Sequence, residues 1–120
     1  MTTLLDPADA GRLGDIIAYG ERAVRHVGEL DLAGFVADEK TYDSAVRCLA
    51  VVGEAVFKLS KPFQTAHPTV PWPLIAAMRH RLVHDYGGVD HTTVFRVLRT
   101  DLPNLVISVR AILAQHGHTA

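Results

Sequence analysis

The sequence predicts an all-α protein, an antiparallel bundle of four to five helices. Three observations carry that prediction. Apolar residues recur at spacings of three and four through most of the 120 residues. Asp, Gly and Pro punctuate these stretches at short intervals, so successive helices are joined by short loops and run antiparallel. No segment alternates apolar and polar residues as a half-buried strand would. The length suits one domain covering residues 1–120, and 48% hydrophobic with 21% charged residues is ordinary for a soluble globular chain.

Asp6-Pro7 opens the first helix: Asp6 can cap it, Pro7 fits the first helical position, and Asp9 is a favourable acid in the first turn. Leu13, Ile16, Ile17, Gly20, Val24, Val27 and Leu30 then form one apolar stripe, and a break is expected around residues 31–34. The second helix is expected from near Asp38 to about Ser60. Its main stripe contains Tyr42, Ala45, Val46, Leu49, Val52, Val56 and Leu59, and Cys48, Val51 and Ala55 extend onto a second face. A helix apolar on two sides is central in a bundle or lies at a subunit interface. Residues 61–73 are expected to be loop, because Pro62, Pro68, Pro71 and Pro73 exclude a regular helix. Trp72 is expected to fill a gap in the core. Pro73 starts a third helix, read as buried from the run Leu74-Ile75-Ala76-Ala77-Met78 and stopped by Gly87-Gly88. Asp90 can cap a fourth, and Asp101-Leu102-Pro103 marks a new first turn or a kink. Leu102, Leu105, Val106, Val109, Ile112 and Leu113 make the last stripe, and His116-Gly117-His118 a frayed end.

Composition narrows the function classes. The formal net charge is −1 with neutral histidines, and seven histidines would turn the surface positive in mild acid. There is no basic tail or Lys-rich block, so nucleic acid would be held by a local patch. The single cysteine, Cys48, rules out an intramolecular disulfide and a cysteine metal cluster, and is read as a small core residue. No N-terminal run resembles a signal peptide and no apolar run reaches membrane-spanning length, so the expectation is a cytoplasmic protein with no membrane partner.

The chemistry concentrates in residues 78–90, Met-Arg-His-Arg-Leu-Val-His-Asp-Tyr-Gly-Gly-Val-Asp. Core packing has no use for so many ionisable groups, and burying them unpaired is unfavourable. On an ideal helix His80 and His84 share a face. Arg79 and His84 lie about 140° apart around the axis. They converge on one small target only if the arginine wraps round or the helix loosens near His84. Glu54, the one acid in an otherwise apolar helical stretch, calls for a cationic or hydrogen-bonding partner, and Arg79 is a candidate.

Several chemistries can be weighed on these residues. His80 and His84 have the i, i+4 spacing of helical zinc ligands, with His91 just beyond, but no His-Glu-x-x-His pattern or cysteine supports them. Ser44, Ser60 and Ser108 lack a Gly-x-Ser-x-Gly context. No phosphate-cradling glycine loop or dinucleotide fingerprint is present. Neither metal nor cofactor is therefore expected. Metal-free phosphodiester cleavage needs a base for the ribose 2′-hydroxyl, a cation for the negative transition state and an acid for the leaving oxygen. Arg79 and His84 supply that minimum set. As a bare pattern Arg-x4-His is unspecific, and Arg110-x5-His116 is read as accidental.

The wider context is more specific. Lys40-Thr41 leads into the second helix, followed by Val52-Gly53-Glu54-Ala55, then His67-Pro68 and Pro71-Trp72. Met78-Arg79-His80, Leu82-Val83-His84, Tyr86, Gly88-Val89-Asp90 and Asp101-Leu102-Pro103 complete the pattern. It resembles the HEPN superfamily of small helical ribonucleases and, within it, the HepT-like toxin family, over most of the chain. The family signature is an arginine, a polar residue, a short spacer and a histidine, here Arg79, His80 and His84. His80 stands where asparagine is often found, which leaves its role open between structural support and direct participation. The resemblance implies a HEPN-like homodimer with both motifs lining one cleft. It implies a metal-independent endoribonuclease toxin of a type II/VII-like toxin–antitoxin pair, acting on RNA. Its partner would be an MNT-type nucleotidyltransferase antitoxin that attaches AMP to the tyrosine two beyond the histidine, here Tyr86, which is otherwise read as an RNA-contacting residue. Arg79 and His84 are the implied catalytic residues, with His80 and Glu54 in support. The competing reading is a non-catalytic helical module that only holds the nucleotidyltransferase.

Overall fold

The computed structural model describes residues 5–117, and of Tyr86 the backbone alone. Among these residues there are seven α-helices and no strand. In chain order they are α1 (Pro7–Val27), α2 (Leu32–Ala37), α3 (Glu39–Phe57), α4 (Lys61–Ala66), α5 (Trp72–His84), α6 (His91–Arg96) and α7 (Leu102–Gln115). The all-α class stands. The count exceeds the expected four to five because short helices occupy stretches read as a break and a loop.

Local chemistry sets the boundaries. The Asp6 carboxylate accepts from the backbone N–H of Ala8 at 2.8 Å, Asp38 from Thr41 at 3.1 Å and Asp90 from Thr92 at 3.1 Å, each satisfying an orphan donor of a first turn. Asp31 does the same for Gly34 at 2.8 Å, and α2 forms there because it drives Phe35 into the core. Ser60 opens α4 by accepting from Phe63 N–H at 3.2 Å. Pro62 sits in the first turn of α4, where its missing N–H would have no intrahelical partner, so it starts this helix instead of excluding it. Ser60 is itself held from α1. Its backbone N–H and hydroxyl donate to the buried Asp9 carboxylate at 2.9 and 2.6 Å.

α3 lies centrally, packed against α1 on one side and α5 on the other, while α7 packs against α1. Leu13, Ile16, Val52, Val56, Leu102 and Val109 are buried between them. Cys48 and Ala55, on the second apolar face of α3, are buried too, while Val51 of that face is half-buried. α6 passes through a π-helical turn, Val97–Asp101, into α7. The turn precedes Pro103, which has no N–H to continue the regular ladder. From this turn Arg99 donates to the carbonyl of Gly28 at 2.8 Å and to that of Leu30, tying down the C-terminal end of α1. Gly28 holds that end at φ 53°, a conformation that favours glycine. No helix among the described residues is long and apolar enough to cross a membrane.

Two expectations about α5 are corrected. It is not a buried helix: Trp72 and Leu82 are its buried residues, and Leu74, in the apolar run, is 73% exposed. α5 rests on α3 by one side only, so Leu74 and Ala77 of that run face outward while Ile75, Ala76 and Met78 pack against the core. Nor does glycine stop it. The helix ends at His84, with Asp85 in the C-cap at φ −142° and its N–H on the Arg81 carbonyl at 2.8 Å. Gly87 and Gly88 belong to the 3-10 turn Tyr86–Gly88 with no positive φ. At position 88 a Cβ would lie 2.6 Å from an Asp85 carboxylate oxygen, a contact that the exposed Asp85 side chain can turn away to relieve.

Candidate active site

The site begins with a close helix–helix approach. A Cβ on Gly53 would stand 2.2 Å from Arg79 Cβ and 3.2 Å from Arg79 Cα, so only glycine lets α5 lie this near α3. That proximity places the root of the Arg79 side chain directly over α3. Its guanidinium Nη2 reaches Glu54 Oε2 at 2.9 Å, while Lys58 Nζ, one turn further along α3, lies 3.2 Å from Oε1. Oε2 is buried yet receives no aligned hydrogen bond, so the Arg79 contact is an ion pair approached off the N–H axis. This geometry favours neutralisation of the carboxylate over tight docking, and it leaves guanidinium N–H groups to another acceptor. The candidate partner inferred for Glu54 is therefore the one found.

Beside this pair a groove of about 350 Å³ runs along the outer face of α3 between α1 and α5. Arg79 and Glu54 line it with the small apolar side chains of Ala50, Val51 and Ala55. Arg12 and Asp15 enter from α1 and Arg47 from α3. The sequence did not single out these last three, because isolated charged residues on helix surfaces carry no distinguishing pattern.

His80 and His84 occupy a different face of α5. Both are exposed, and their rings stand 4.6 Å apart at an interplanar angle of 49°. The helix runs unbroken through His84, so the loosening that would bring this ring toward Arg79 is absent. Among the described residues the structure pairs Glu54 with Arg79, and His80 with His84, and neither histidine lines the groove beside Arg79. The side chain of Tyr86 lies outside the described residues. His91, the third histidine of the zinc alternative, is engaged elsewhere: its Nδ1 shares a hydrogen bond of 2.6 Å with the Tyr42 hydroxyl. Among the described residues no group of three or more His, Cys, Asp or Glu is placed to hold a metal ion.

A protein-family model described as "Ribonuclease HepT-like" matches residues 16–112. The chain is 32% identical over 93 residues to "Putative RNase MJ0125" of Methanocaldococcus jannaschii, covering 78% of this chain and 80% of that protein. It is 35% identical over 101 residues to "Putative RNase TTE0752" of Caldanaerobacter subterraneus, covering 84% and 90%. It is 33% identical over 93 residues to "Probable ribonuclease HepT" of Thermococcus cleftensis, covering 78% and 84%. No solved structure gives a significant match.

Proposed function

Because the chain belongs to the HepT-like ribonuclease family, we propose that it cleaves RNA phosphodiesters without a metal, with Arg79 as the phosphate clamp and His84 as the proton-transfer group. The observation that carries this reading is the setting of Arg79, anchored by Glu54 at the edge of an open groove with donors to spare. A planar guanidinium held in that way can grip two phosphate oxygens and stabilise the charge that grows on them in the transition state. His84, exposed one turn further along, can take the proton of a ribose 2′-hydroxyl as that oxygen attacks phosphorus. The protonated imidazole can then return a proton to the departing 5′-oxygen. His80, its ring tilted against that of His84 at 4.6 Å, orients it.

The divergence of Arg79 and His84 around α5 argues for a homodimer in which two copies of the motif face one cleft. One phosphate would then meet the arginine and the histidine together. In this reading the chain is the toxin of a toxin–antitoxin pair. Its neutralising partner is an MNT-type nucleotidyltransferase that attaches AMP to the Tyr86 hydroxyl, adding negative charge two residues along the chain from His84.

The non-catalytic module keeps one observation in its favour, since the Arg79–Glu54 pair also serves as an ordinary strut between helices. RNA cleavage in the presence of a chelator separates the two. The wild-type protein should cleave, and His84→Ala should lose about 10²–10⁴-fold, the usual contribution of a positioned acid–base group. Equal activity of the two proteins would remove His84 from the chemistry.

A further inference from the structure

The groove beside Arg79 carries more positive charge than that residue supplies. Arg79 is charge-paired with Glu54, a carboxylate that Lys58 shares. Arg12 and Arg47 line the same groove, and among the described residues neither has an ion pair or hydrogen bond. Asp15 is the other acid of the lining, so with Lys58 four cations face two carboxylates. Between the arginines the floor is Ala50, Val51 and Ala55, which offer no side-chain donor or acceptor to read a base edge. The positive charge continues past Arg47. Arg22, Arg47 and Arg25 stand close enough to buried Cys48 that their field opposes the upward push of burial on its thiol pKa.

A guanidinium is a planar fork matched to phosphate oxygens, and a shallow groove with a plain floor suits a polymer gripped by its backbone. We propose that Arg12 and Arg47 form a backbone-phosphate subsite, holding the RNA strand at phosphates flanking the one clamped by Arg79. The subsite rests on the ribonuclease reading and gives that reading a strand path, over α1 and α3. It binds without regard to sequence, because phosphate contacts fix position and carry no base information.

The test uses the full chain and a fluorescein-labelled oligoribonucleotide with 2′-O-methyl groups, which cannot be cleaved because the attacking hydroxyl is blocked. Binding is followed by anisotropy over a salt series. Each phosphate contact on a single strand contributes about 0.7 to the slope of log K against log salt, so the double variant Arg12→Gln/Arg47→Gln should flatten it by about 1.4. Arg12→Lys/Arg47→Lys should restore most of the slope. On unmodified RNA the Gln double variant should raise KM with little change in kcat, whereas His84→Ala lowers kcat. An unchanged slope and KM in the Gln double variant, with cleavage intact, overturns the subsite and leaves the ribonuclease standing. A flattened slope in a protein that never cleaves RNA supports the subsite and sinks the catalytic reading. Failure of the wild-type chain to bind the probe overturns the subsite as well.

Discussion

Replacing Gly53 by alanine tests the close approach on which the candidate site depends. Two effects oppose each other. Alanine in a helix interior is favoured over glycine by about 1 kcal/mol. Against this, the new methyl would lie 2.2 Å from Arg79 Cβ and 3.2 Å from its Cα, where ordinary carbon contacts are about 3.5–4.0 Å. The obstacle is the base of a side chain and the backbone beneath it, so rotamer change cannot relieve the clash. α5 must withdraw from α3 by roughly 1.3 Å, the distance that restores normal contact. Overpacking of this kind costs about 1–3 kcal/mol, and the severity of the contact points to the upper end, giving a net loss near 2 kcal/mol. For a chain of this size that lowers Tm by roughly 8 °C. Gly11 and Gly14 are internal controls, since a Cβ at either meets nothing within 4 Å. Gly14→Ala should therefore raise stability by about 0.5–1 kcal/mol. Urea unfolding followed by circular dichroism, with m-values compared, measures all of these. A Gly53→Ala protein as stable as the wild type would refute the packing described for α3 and α5. If it is destabilised as expected, RNA cleavage should fall too, because the guanidinium moves away from Glu54.

A second prediction concerns pH. Burial, and after it the charge of His116, holds the His67 imidazole below its usual pKa of 6.5. The unfolded chain then binds a proton that the folded chain resists, so this contribution is present above pH 6.5 and is lost as pH falls through the depressed value. His67→Gln should show a shallower fall of the urea midpoint in acid, read from the fluorescence of Trp72, the single tryptophan, and parallel curves would contradict it. Third, Tyr42→Phe removes one side of the bond to His91 while keeping the ring beside Phe35, so it should cost about 1 kcal/mol at constant m-value; no loss in urea unfolding would mean the bond contributes nothing.

What the sequence could tell depended on how local each cause is. The caps at Asp6 and Asp90 were legible because a carboxylate and the N–H groups it satisfies lie within three residues. The kink before α7 was legible because proline acts on its own turn. α2 and α4 were missed because six residues are too few to build a stripe. The prolines of the 61–73 stretch were weighed as breakers, without regard to position in a first turn. The burial of α5 was misjudged for another reason: an apolar run shows that a helix can be buried, and only the neighbours decide how much of it is. The Glu54–Arg79 pair could be inferred because a lone acid in an apolar helix demands a cation. The groove could not, because Arg12, Arg47 and Arg79 meet only after α1, α3 and α5 have packed.

The bond from Asp9 to Ser60 has a kinetic meaning. It spans 51 residues, and Ser60 in turn begins α4, a helix of six residues that is too short to persist alone. α4 therefore has no stable nucleus until the first turn of α1 has docked, and the two should open as one cooperative unit in hydrogen exchange. The amides of Ser60 and Phe63 then report on the arrival of the N-terminal turn.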